Sequence, residues 1–169
     1  MAAYNLIATT TVGSGGTASI NFNSIPLTYT DLQLFLSARQ STAGGTTVAM
    51  KFNGSSTGYS NKTLLAVPTG VISEQTITTY INIGFLPEEV NYTANVFSNQ
   101  GIYIPNYAGS TYKSVSTDSC MENNSSTIYY GLFAGLWSNT AAITSIQLTT
   151  ENGNFMQYSS ASLYGIKNS

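Results

Sequence analysis

The stretch Asn95–Thr149, NVFSNQGIYIPNYAGSTYKSVSTDSCMENNSSTIYYGLFAGLWSNTAAITSIQLT, decides the fold class. Punctuation divides it into four runs. The first, Asn95–Pro105, is closed by Pro105-Asn106 and Ala108-Gly109-Ser110. The second, Tyr112–Met121, sets Lys113, Val115, Thr117 and Ser119 against Ser114, Ser116 and Asp118. That is the period of a strand with one face to a core and one to water. The third, Ile128–Trp137, is apolar on both sides. Ile128, Tyr130, Leu132, Ala134 and Leu136 form one face; Tyr129, Gly131, Phe133, Gly135 and Trp137 form the other. Such a strand needs cover on both sides. The domain core supplies one cover, and a loop, a second layer or another subunit supplies the other. The fourth run, Ile143–Thr149, brings Ile146 and Leu148 to one side.

The same grammar extends towards the N-terminus. Tyr4–Val12 is β-prone, and Gly13-Ser14-Gly15-Gly16 turns the chain into Thr17–Phe22. In Asp31–Gln40, Leu32, Leu34, Leu36 and Ala38 share the core face. Gln33, Phe35, Ser37 and Arg39 point outward, which makes Phe35 an exposed aromatic. Thr46–Asn53 aligns Val48, Met50 and Phe52 ahead of an Asn53-Gly54 reversal. Asn61–Val67 is a short apolar stretch before a loop at Pro68 and Gly70. Ile77–Phe85 then aligns Ile77, Thr79, Ile81, Ile83 and Phe85, with Glu88-Glu89 read as a solvated turn. Ser160–Lys167 is the last strand. About ten short strands without heptads or a clear helix predict an all-β sandwich or barrel, and 169 residues predict one domain, 1–169.

Composition excludes more chemistry than it suggests. Five basic and seven acidic residues leave a net charge of −2, so the polar surface rests on Ser, Thr, Asn and Gln. The scattered basic residues Arg39, Lys51, Lys62, Lys113 and Lys167 form no stripe for phosphates, and no nucleic-acid partner is expected. MAAYNLIATTTVG has neither a positive region nor a long apolar segment, so neither a signal peptide nor a membrane span is expected there. The absence of histidine removes a His-dependent triad and the usual zinc, iron and copper ligand sets. Cys120, the single cysteine, is read as a small buried hydrophobe. Asp118 and Glu122 lie roughly 13 Å apart at strand rise, too far for a glycosidase pair without a bulge. With Asn123 and Asn124 they offer oxygen ligands of calcium type, but turn capping explains the same residues. No catalytic residue, metal or cofactor is therefore assigned, and the chain is not read as an enzyme.

Aromatic supply is the remaining signal. Tyr103, Tyr107 and Tyr112 present flat faces with a hydroxyl edge, suited to a neutral glycan. Tyr129, Phe133 and Trp137, with Phe35, suit a subunit interface. Burying one such face over several hundred Å² yields at most about 10 kcal/mol before association costs, enough for a stable oligomer.

Several blocks carry a resemblance. Tyr4–Thr11 (YNLIATTT), Ser24–Leu32 (SIPLTYTDL), Ile102–Ser110 (IYIPNYAGS), Gly135–Ile143 (GLWSNTAAI) and Ser162–Ile166 (SLYGI) span nearly the whole chain. Together they resemble a group of small virion structural proteins of tailed bacteriophages, including phages of cyanobacteria and other aquatic bacteria. The resemblance implies a jelly-roll-like antiparallel β-sandwich of about eight to ten strands. It also implies a location in the virion, on the capsid surface or the tail, and no catalytic residues. The expected function is a capsid cement or decoration protein that forms a homotrimer and contacts the major capsid protein or tail proteins. The alternative is a tail fibre or appendage module binding host surface glycans. The trimer number comes from the resemblance alone.

Overall fold

The computed structural model describes residues 3–43, 47–89, 91–124 and 128–167. Twelve strands run in chain order: β1 (Ala3–Thr11), β2 (Ser19–Phe22), β3 (Asp31–Ala38), β4 (Thr47–Phe52), β5 (Tyr59–Val67), β6 (Gly70–Thr78), β7 (Ile81–Phe85), β8 (Ser98–Ile104), β9 (Lys113–Met121), β10 (Tyr129–Trp137), β11 (Ile146–Thr150) and β12 (Ser160–Lys167). Thr46, read as the start of the fourth strand, lies outside the described residues. The strands form two antiparallel sheets packed as a sandwich. The larger has the order β1-β12-β3-β8-β9-β10-β5-β6 and the smaller β2-β11-β4-β7.

The pairings nest. β1 pairs with β12, β2 with β11, β3 with β8, and β4 with β7, so the two ends of the chain run side by side and fold inward together. Two hairpins interrupt this scheme, β5–β6 between β4 and β7, and β9–β10 between β8 and β11. Both join the same end of the larger sheet.

Alternation places the core. Leu32, Leu34 and Leu36 of β3, Ile102 and Ile104 of β8, and Leu163 of β12 are buried against Phe22, Met50, Phe52, Ile83 and Leu148 of the smaller sheet. Each such side chain contributes roughly 1.5–3 kcal/mol by leaving water. At one end of the core Trp137 stacks on Tyr59 at 6.2 Å and tilts against Phe52 at 5.6 Å. The Tyr59 hydroxyl accepts the Phe52 amide hydrogen at 2.9 Å.

The added hairpins can pack on β7 because two glycines let the sheets approach. A Cβ on Gly84, whose φ is +130°, would sit 2.2 Å from Ser119 Oγ, and one on Gly135 would sit 2.4 Å from Ile81 Cγ2. On the inner side of this end Phe85 meets Tyr129 at 5.2 Å and Phe133 at 5.7 Å. β6 projects past this contact and is exposed along nearly its whole length.

Several expectations require correction. Ile77–Phe85 is not one strand. The chain bends at Thr79 and Tyr80, so Ile77 lies in β6 of the larger sheet, exposed, while Ile81 and Ile83 are buried in the smaller one. The loop expected around Gly70 is instead the turn into β6, which raises the strand count to twelve. Arg39 is buried, because its guanidinium donates to the carbonyls of Glu88, Glu89, Tyr92, Thr93 and Val96 and so holds the segment after β7. Burial pushes the Arg39 pKa down, against an opposing pull from Glu89. Glu88 is buried rather than solvated, and its carboxylate accepts from the Asn91 side-chain amide at 2.7 Å. Cys120 is exposed, because even-numbered positions of β9 face out.

Candidate interaction surface

The register across the larger sheet sets which side chains share its outer face. One row runs Ser73, Leu64, Leu132, Asp118, Gly101, Phe35, Ser162. The next runs Gln75, Lys62, Ala134, Ser116, Tyr103, Gln33, Tyr164. Strand parity puts Val71, Ala66 and Tyr130 on the same face beyond the first row, and Ile77, Ser60 and Leu136 beyond the second.

This face changes character from end to end. Over β6, β5 and β10 it is apolar. Val71 is 71% exposed and Ile77 85%, and Leu64, Tyr130, Leu132 and Leu136 are each about half exposed or somewhat less. Lys62 is its only basic group there. A contiguous exposed apolar patch rimmed by polar residues is a candidate contact surface. Over β8, β3 and β12 the face is aromatic, with Phe35 edge-on to Tyr164 at 6.0 Å and Tyr164 edge-on to Tyr4 at 6.4 Å. Between the two lies an open trough of about 810 Å³. Small residues at Gly101, Ser116 and Ala134 leave the depression. Leu64, Leu132 and Lys62 stand on one side and Gln33 and Tyr103 on the other.

Polar groups around the trough are partly committed. The Tyr103 hydroxyl donates to Asp31 Oδ2 at 2.9 Å, and Asp31 Oδ1 accepts the Asn106 amide hydrogen at 2.8 Å. Burial, and then the Asp31 hydrogen bond and charge, raise the Tyr103 pKa. The hydroxyl is thereby tethered while the side chain lines the trough. Tyr130 reaches Asp118 Oδ2 at 3.5 Å. Glu122 Oε1 accepts the Asn124 amide hydrogen at 2.6 Å, which is a capped turn. Among the described residues no group of three or more His, Cys, Asp or Glu side chains comes together.

The proposed site residues divide sharply. Phe133 and Trp137 are buried in the domain core, so they are not a surface for another subunit. Theirs is the inner face of β10: glycines 131 and 135 share it, and their missing side chains are what admit Phe133 and Ile81. Tyr129 is partly buried against Phe85 on the same side. Phe35 does point outward. Of the glycan candidates, Tyr107 is fully buried, with its hydroxyl donating to the Pro26 carbonyl. Tyr112 is exposed but does not line the trough; Tyr103 does. The sequence reading missed Val71, Ile77, Leu64, Leu132 and Leu136. The usable signal was the placement of Gly131 and Gly135, since glycine recurring on one strand face marks the side that another layer approaches. No family model, curated protein or solved structure matches the chain.

Proposed function

We propose that this protein is a non-catalytic structural subunit of a tailed-phage particle, a decoration or cement protein that seats on the head through the outer face of its larger sheet. The observation that carries the reading is the apolar, nearly uncharged surface over β6, β5 and β10. A subunit that repeats at many equivalent sites needs such a face and little like charge. The strand order supports the jelly-roll part of the reading. With the hairpins β5–β6 and β9–β10 set aside, the remaining eight strands have the order 1-8-3-6 in one sheet and 2-7-4-5 in the other. That order matches what a doubled-over chain wound into two Greek keys would give. The fold alone does not fix a function, so the sequence blocks that resemble virion proteins and the apolar face are both needed. The test is mass spectrometry and electron microscopy of purified particles from the phage that encodes the chain. Its presence in multiple copies on the head is the expected result, and its absence from the virion ends the proposal.

A tail-module reading, in which the face binds a neutral host glycan, rests on the trough. Its size suits a short oligosaccharide, and Tyr103 offers a fixed ring beside the Gln33 amide. Titration with host-envelope oligosaccharides separates the two readings. Binding that Tyr103→Ala abolishes while the fold is kept would favour the glycan. No binding at millimolar sugar favours the head.

A further inference from the structure

We propose that β6 is a self-pairing strand: two copies of the chain join their larger sheets edge to edge, antiparallel, about a twofold axis at Glu74. This goes beyond the virion reading and does not depend on it. The larger sheet has two edges, β1 and β6. They differ in how well they are protected. β1 carries a register shift between Leu6 and Ala8, the kind of bulge that blunts an edge. β6 pairs with β5 without interruption from Tyr59↔Thr78 to Val67↔Gly70, and it contains no proline and one charge, Glu74. Nine regular residues whose outer main-chain edge pairs with no described strand form a template for another strand.

The residue pattern argues that the other strand is the same one. On the outer face β6 reads Val71, Ser73, Gln75, Ile77, which is apolar, polar, polar, apolar about Glu74. An antiparallel partner centred on Glu74 puts Val71 opposite Ile77 of the second copy, twice, and Ser73 opposite Gln75. A twofold axis normal to the sheet keeps both outer faces on one side, so the apolar surface over β6, β5 and β10 becomes continuous across the dyad. The most exposed apolar side chains of the strand, Val71 and Ile77, are the ones that meet. Pairing brings Val71 and Ile77 of the two copies together at the seam and leaves Leu64, Tyr130, Leu132 and Leu136 of both on one continuous outer surface. The one unfavourable contact is Glu74 against Glu74 on the opposite face, where like charges weaken a directly facing pair.

The test is sedimentation of the full chain at high micromolar concentration, in parallel with variants at exposed positions. The expected mass is twice 18.0 kDa, about 36 kDa. Val71→Lys should return the chain to 18.0 kDa with unchanged circular dichroism. Glu74→Gln should tighten the dimer about fivefold, and wild type mixed with Glu74→Lys should form the mixed dimer in preference to either parent. In a Cys120→Ser background, Glu74→Cys should cross-link to itself on mild oxidation, as facing strand positions permit. A monomer at that concentration, a mass of three chains, or a dimer indifferent to Val71→Lys would each overturn the pairing.

Discussion

Replacing Trp137 with Ala and Leu132 with Ser tests the assignment of the two faces of β10. The positions are five residues apart on one strand and face opposite ways. Trp137 is 2% exposed and Leu132 51%. Truncating a large aromatic in a core costs about 3–5 kcal/mol. Trp137 belongs at the upper end, because its contacts with Tyr59 and Phe52 go with it, each contributing about 0.5–1.5 kcal/mol beyond area. A small offset comes from the indole N–H, which is buried without an acceptor among the described residues. Domains of this kind have about 5–15 kcal/mol in total, so Trp137→Ala removes a third or more. With a urea slope of about 2 kcal/mol per M, the midpoint falls by roughly 2 M. Leu132→Ser, on the exposed face, shifts stability by at most about 0.5 kcal/mol. Protein concentration must be held fixed, since association adds apparent stability. Equal shifts for the two variants, or a larger one for Leu132→Ser, would refute the placement of Trp137 in the core.

Other perturbations follow from the same contacts. Arg39→Met should cost about 3 kcal/mol, because several carbonyls lose a charged donor; Arg39→Lys should recover only part of this, and limited proteolysis should show faster cleavage in the segment after β7 in both. Gly135→Ala should destabilise by about 1–3 kcal/mol through overpacking on Ile81. Gly84→Ala should cost more, since strain at positive φ adds to the clash with Ser119; urea unfolding reads both. Burial raises the Tyr59 and Tyr107 pKa values above the ordinary 10.0, so the unfolded chain sheds these protons first. Their stabilising contribution is whole below pH 10 and is lost as pH rises through the folded-state values. Lys113, lowered by burial from 10.5, acts with the opposite sign over the range below that value. Urea midpoints between pH 8 and pH 11 should therefore fall at the alkaline end, and less steeply in Tyr59→Phe.

Legibility in the sequence tracked the strength of local alternation. β3 and β9 were readable face by face, because each has one face that could not be exposed without cost: Leu32, Leu34 and Leu36 in β3, and Val115 among small polar neighbours in β9. β10 was readable as a strand but not by orientation. Both of its faces are apolar, so periodicity gives the two sets of residues without saying which set meets the core. β6 was illegible for a related reason. With Val71 and Ile72 adjacent and both faces exposed, it carries no amphipathic signal at all. The break between Ile77 and Ile81 was hidden because the even spacing continues through a bend that moves the chain from one sheet to the other. Long-range polar commitments were invisible in principle. Arg39 and Glu88 look like surface charges until the chain after β7 closes over them.

The position of the two added hairpins explains why the unpartnered surface is where it is. The four nested strand pairs, β1·β12, β2·β11, β3·β8 and β4·β7, already place their buried side chains between two sheets of four strands each. Adding β9, β10, β5 and β6 to one sheet alone doubles its width without widening the other. β7 can cover the inner side of β9 and β10 only because Gly84 and Gly135 allow it close, and nothing in the smaller sheet lies beyond β7. The overhang leaves β6 exposed on both faces. A sequence under pressure only to keep this overhang in water would place charges along it, as protected edges do. This one places Val71, Ile72 and Ile77 there with Glu74 as the single charge, and continues the apolar surface inward through Leu64, Leu132 and Leu136. Those side chains contribute little to the fold of one chain. The same hairpins serve the core through their inner faces, where Tyr59, Val115 and Trp137 are buried, so the apolar outer face is surplus to the fold of one chain and is the surface that the proposed assembly would cover.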